Sequence, residues 1–180
     1  MPSREESEKL LNEYVKNESL LNHCHMVAKA MEAYAKSMNL SDQEVDEWFA
    51  SGLLHDIDWE KYPDEHPNKA VNEILPALGY PENVILAIKS HGPQRTGKYP
   101  ETKIEKYLFA CDELCGFLNA SSIMRPTKFE GMEVKSVKKK LKDKRFAANV
   151  SREDIDEGAR LIEKPIEEHI SFLIEVFSKA

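Results

Sequence analysis

Gly52-Leu53-Leu54-His55-Asp56 closes an apolar run that begins at Trp48, and it closes it with an imidazole beside a carboxylate. The run reads as buried chain, and an isolated carboxylate in such a place costs several kcal/mol unless a cation or hydrogen bonds compensate it. A metal ion compensates it and uses both side chains as ligands. Just upstream, Ser41-Asp42-Gln43-Glu44 forms a capping box. It predicts a helix that starts there and ends near His55, which brings the two polar groups to the end of a buried helix.

Working outward, alternating β-branched runs are absent and apolar residues recur at three- and four-residue spacing, so the chain reads as all-α. A short first helix is expected from about Glu5 to Val15. A second is expected from about Asn17, with Leu20, His23, Val27, Met31 and Tyr34 on one face. Pro67 and Pro81 read as first helical residues, with Gly79 stopping the first of these helices and His91-Gly92-Pro93 ending the second. Gly92 to Glu101 reads as a loop. Thr102 to Glu105 looks like another capping box, opening a long apolar helix to about Leu118. Val134, Val137, Leu141 and Ala148 mark a basic amphipathic helix. A further helix begins at Ser151 and is broken by Pro165 before the segment Ile166 to Phe177. The expectation is one helical domain over 1–180, with about seven to nine helices.

Two more polar residues lie where a plain helical bundle would have apolar ones. His23 is three after Leu20 and four before Val27, on the buried stripe of its helix. His25 falls about 200° around the helix and faces away. In the segment Tyr107 to Leu118, Asp112 lies on or beside the apolar face defined by Leu108, Cys111, Cys115 and Leu118, while Glu113 points elsewhere. Two histidines and two carboxylates make a nitrogen and oxygen ligand set without thiolate. That set suits Mn²⁺, Fe²⁺, Mg²⁺, Ni²⁺ or Zn²⁺ in a catalytic site better than a structural zinc site.

Composition narrows the function. Hydrophobic residues make up 41% and charged ones 32% of 180 residues, the profile of an ordinary globular protein. Met1 to Leu10 has no apolar core, and no stretch approaches the length of a membrane span, so neither a secretory signal nor a membrane is expected. Three cysteines give no disulfide framework and fit a cytoplasmic protein. A net charge of −7 disfavours nucleic-acid polymers. The eight basic residues from Lys128 to Arg145, Lys139 among them, leave a local anion site open. Most of them read as a solvated helix face. Arg125 and Lys128, in a loop beside Pro126, are the candidates for substrate phosphate.

The order His23, then His55-Asp56 after two leucines, then Asp112 resembles the H…HD…D pattern of HD-domain phosphohydrolases. Val27-Ala28 after the first histidine, Gly52-Leu53-Leu54 before the second, and Ala110-Cys111-Asp112-Glu113-Leu114 at the last agree with that family's local contexts. The similarity spans about Leu20 to Ala120. It implies an all-helical bundle whose motif-bearing core, about 17–120, is packed by the helices of about 134–180. It also implies a metal centre on His23, His55, Asp56 and Asp112. Some members add two histidines and a second metal. His66, just before Pro67, and His91 stand at the matching places, as ligands of a second ion or as phosphate contacts. His25 and His169 are read as surface residues.

The resemblance implies hydrolysis of a small phosphate ester, a nucleotide for many members, by water activated on one or two divalent ions. Asp56 would bridge two ions or orient the water. Asp58, Glu60 or Lys61, just past the ligands, would meet the leaving group. The common continuation His-Asp-Ile-Gly-Lys is replaced here by His55-Asp56-Ile57-Asp58-Trp59-Glu60-Lys61. This argues against the cyclic-dinucleotide phosphodiesterases, and Gly79-Tyr80-Pro81 stands in the wrong context to restore that reading. Two other classes fit the same ligands: a di-iron oxygenase similar to inositol oxygenase, and a metal-stabilised nucleotide-binding module without turnover. The sequence leaves the substrate and the oligomeric state open.

Overall fold

The computed structural model describes residues 1–179. Among them there are ten α-helices, one π-helical turn and no strand. The helices are α1 (Arg4–Tyr14), α2 (Glu18–Ser37), α3 (Asp42–Leu54), α4 (Leu75–Ala77), α5 (Glu82–His91), α6 (Pro93–Thr96), α7 (Lys103–Ile123), α8 (Val134–Leu141), α9 (Arg152–Leu161) and α10 (Ile166–Ser178). The count exceeds the expected seven to nine because α4 and α6 are pieces of three and four residues. None of the described helices is long and apolar enough to cross a membrane.

Local chemistry sets most of the ends. Ser41 caps α3 as expected: its hydroxyl accepts the Glu44 N–H, and the Glu44 carboxylate accepts the Ser41 N–H at 2.9 Å. Ser3 builds the same reciprocal box at the start of α1. At Thr102 the expected box does not form. The Glu105 carboxylate turns back to the Glu101 N–H at 2.7 Å and to Lys98 Nζ at 3.0 Å instead.

Three further expectations are corrected. The helix foreseen from Pro67 is a turn, then a π-helical turn over Ala70–Ile74, then α4. Pro76 has no N–H to continue a regular ladder, and the Leu75 N–H bonds back to Ala70 O. The Gly92 to Glu101 loop contains α6. Finally, α8 stops at Leu141, short of Ala148. The chain that follows is gathered by Arg152, whose guanidinium donates to the carbonyls of Asp143, Phe146, Ala147 and Val150.

α2, α3, α5 and α7 pack on one another, with α1 against α3 and α9 against α7. One hydrophobic core runs from Leu11 of α1 to Phe177 of α10. Tyr34 of α2 stacks on Phe172 of α10 at 4.1 Å and meets Tyr107 of α7 at 4.7 Å, tying the last helix to the core. Two glycines let backbones touch. A Cβ on Gly52 would lie 2.7 Å from Ala28 Cα of α2, and one on Gly158 would lie 2.6 Å from Ala110 Cα of α7. The first contact sets α3 against α2 beside His55 and His23. The second sets α9 against α7 beside Asp112.

Candidate metal centre

His55 is the C-cap of α3 and is fully buried. Its Nδ1–H donates to Gly52 O at 2.8 Å, so Nε2 is turned toward the carboxylates of Asp56 and Asp112. From α2, His23 brings its Nε2 to 3.2 Å from His55 Nε2 and 3.0 Å from Asp112 Oδ1 of α7. His23, His55 and Asp112 thus converge from three helices, with one ligand atom of each within 4.8 Å of the others.

Asp56, Asp112's counterpart one residue past His55, faces two ways. Its Oδ2 lies 3.3 Å from His55 Nε2 and 3.8 Å from His23 Nε2. Its Oδ1 lies 3.4 Å from His66 Nε2 and 3.6 Å from His91 Nε2. Asp56, His66 and His91 form a second group of three within 4.8 Å. The two added histidines are aimed as His55 is. The Nδ1–H of His66 donates to Asp58 Oδ1 at 2.7 Å, and that of His91 donates to Ile88 O at 2.5 Å. In each, Nε2 is the atom left for the centre.

Burial opposes charge on His55, Asp56 and Asp112, and the neighbours overcome it. Desolvation disfavours the His55 imidazolium, but Asp56 and Asp112 raise its pKa well above the ordinary value. The same desolvation disfavours both carboxylates, yet His55 and the other imidazoles hold Asp56 and Asp112 well below the usual range. Both carboxylates are therefore anionic at neutral pH. Imidazole nitrogens and ionised carboxylate oxygens, without thiolate, are the donors that divalent Mn, Fe, Ni or Zn prefers. Each group of three could hold one such ion, and the second oxygen of Asp56 also faces the first group.

The centre opens into a cavity of about 420 Å³. Its walls carry Trp59, Gln94, Arg95, Glu113, Gly116, Asn149, Val150 and Asp154 besides the ligands. Wider clefts elsewhere, about 610 and 910 Å³ beside α8, carry several lysines and no histidine, and lack such a ligand set. Sequence reasoning placed Glu113 away from this face. The structure puts it in the cavity wall, where burial and the adjacent Asp112 push its pKa up to about 7, and its Oε2 accepts the Ser151 N–H at 3.0 Å.

Other expected residues lie elsewhere. Asp58 is fully buried behind His66 and also accepts the Ala70 N–H at 2.8 Å, so it positions a ligand and meets no substrate. Glu60 accepts the N–H groups of Lys16 and Asn17 ahead of α2. Lys61 Nζ sits over the Tyr14 ring at 4.3 Å, outside the cavity. Arg125 is spent on the carbonyls of Lys128 and Glu130 in its own loop. Lys128 lines a separate cleft with Asn22 and Phe129. His25 is exposed as expected and pairs with Glu8 at 2.9 Å. His169, expected on the surface, is fully buried. Its Nε2–H donates to Ala110 O at 3.0 Å, which leaves Nδ1 to accept the Tyr34 hydroxyl at 2.7 Å.

Trp59, Arg95 and Asn149 are among the cavity residues that sequence reasoning missed. Only the fold joins them, from the turn after α3, from α6, and from the segment Arg152 gathers. No curated protein and no solved structure matches the chain. A family model described as HD domain matches residues 20–118, more than half of the 180. That span holds all six residues of the two groups, and the chain belongs to the HD-domain family.

Proposed function

We infer that the protein is a metal-dependent phosphohydrolase acting on a small phosphate ester, a nucleotide in the first instance, in the cytoplasm. The observation that carries this reading is the Asp56 carboxylate, with one oxygen turned to His23 and His55 and the other to His66 and His91. Divalent ions held there would lower the pKa of coordinated water and neutralise phosphoryl charge. The chain's own residues supply the rest. His55, His66 and His91 are fixed in ring orientation by the acceptors behind them, so their Nε2 atoms already face the centre. Apolar packing around Leu53, Leu54 and Leu108 excludes water from beneath the ligands.

A cavity of about 420 Å³ suits a ligand the size of a mononucleotide. Its carboxylates Glu113 and Asp154, with the net charge of −7, oppose a nucleic-acid polymer. The test is phosphate release from a panel of nucleotides and simple phosphate esters by Mn²⁺- or Fe²⁺-loaded protein, with Asp56→Ala as the control. Release by the wild type, abolished in Asp56→Ala, supports the reading. Hydrolysis retained by Asp56→Ala overturns it. Oxygen consumption without phosphate release would assign the centre to an oxygenase instead.

A further inference from the structure

The structure assigns a phosphate-binding residue that lies outside the basic segment: we propose that Arg95 receives the substrate's phosphoryl group at the cavity lined by the candidate metal ligands. The inference rests on the phosphohydrolase reading and names a residue for it. Among the described residues lining that cavity, Arg95 is the one lysine or arginine, set among the carboxylates of Asp56, Asp112, Glu113 and Asp154.

Despite those neighbours, no carboxylate among the described residues lies within ion-pair distance of Arg95. The guanidinium is held by neutral groups instead. Nη1 donates to Pro63 O at 2.9 Å and His66 O at 3.3 Å, and the group lies 5.2 Å from the Trp59 ring centroid. Trp59 in turn packs edge-on against His66 at 4.9 Å, so the chain of contacts runs from a ligand to the cation. Nε and Nη2 have no hydrogen-bond partner among the described residues.

A guanidinium anchored through one nitrogen, with its charge uncompensated, is poised for a two-point contact to phosphate oxygens. Fixing it in advance lowers the entropy lost on binding. Arg125 has the opposite arrangement, with both its Nε and Nη2 spent on its own loop.

The experiment measures inorganic phosphate binding to Mn²⁺-loaded protein by calorimetry, alongside metal content and the thermal midpoint, in wild type, Arg95→Gln and Arg95→Lys. The expected result is unchanged metal content in both variants. The Kd for phosphate should rise about tenfold or more in Arg95→Gln and by less in Arg95→Lys, which keeps the charge without the fork. A lower thermal midpoint with unchanged phosphate affinity would reduce Arg95 to a staple for the Pro63–His66 turn and overturn the proposal. So would a wild type that holds metal and binds no phosphate. Failure of the phosphohydrolase reading shows separately, as a wild type that holds no metal.

Discussion

The Asp58 carboxylate stands directly behind the His66 ring, with Oδ1 2.7 Å from Nδ1 and Oδ2 taking the Ala70 N–H at 2.8 Å. A residue two past the His55-Asp56 pair therefore serves the second group of ligands without touching the cavity. It fixes the tautomer of His66 and holds its ring with Nε2 toward the centre.

Asp58→Ala is expected to weaken the ion held by Asp56, His66 and His91 by about 10- to 100-fold, leaving the other ion in place. Metal titration that resolves two classes of site checks this. Equal loss at both would show that Asp58 supports the fold rather than His66.

Gly52→Ala should be costly. The added methyl would sit 2.7 Å from Ala28 Cα, so α2 and α3 must separate where His23 and His55 face each other at 3.2 Å. A loss of about 1–3 kcal/mol is expected, as for other overpacked sites. At roughly 2–4 °C per kcal/mol for a chain of this size, thermal denaturation reads it directly. Metal affinity should fall with it.

His169 makes a pH dependence. Burial outweighs the Ala110 carbonyl and lowers its pKa to about 4, against about 6.5 for an unfolded histidine. The unfolded chain therefore binds a proton between these values that the native protein does not. The stabilisation is fully present above about pH 6.5, is lost as pH falls toward about 4, and reaches a loss of about 3 kcal/mol. His169→Gln, which keeps a donor and an acceptor but does not titrate, should lose less stability over that interval. Tyr34→Phe leaves Nδ1 of His169 without its donor, at a cost of about 1–3 kcal/mol. Denaturant unfolding at pH 7 and pH 4.5 measures both.

The residues legible in the sequence were those where a polar group interrupts an apolar stripe. His23 between Leu20 and Val27, Asp112 among Leu108, Cys111 and Cys115, and the pair ending Trp48–Leu54 all announce a buried ligand. His66 and His91 were placed by the family pattern, because each follows a helix or turn whose direction spacing alone does not give. Asp58 was misread since proximity in sequence to the motif suggested contact with substrate, whereas a turn returns His66 onto it. His169 was misread because its two partners, Tyr34 and Ala110, are distant in sequence. Arg95 lay in a segment rich in Gly and Pro, where no periodicity shows which way a side chain faces.

The central claim is two ions sharing Asp56. Its most direct test is elemental analysis of protein reconstituted with Mn²⁺, Fe²⁺, Ni²⁺ or Zn²⁺, in wild type, His66→Ala and Asp56→Ala. The account predicts about two equivalents in wild type, about one in His66→Ala and fewer than one in Asp56→Ala. Wild type without bound metal under any of these ions, or Asp56→Ala retaining two equivalents, would contradict it.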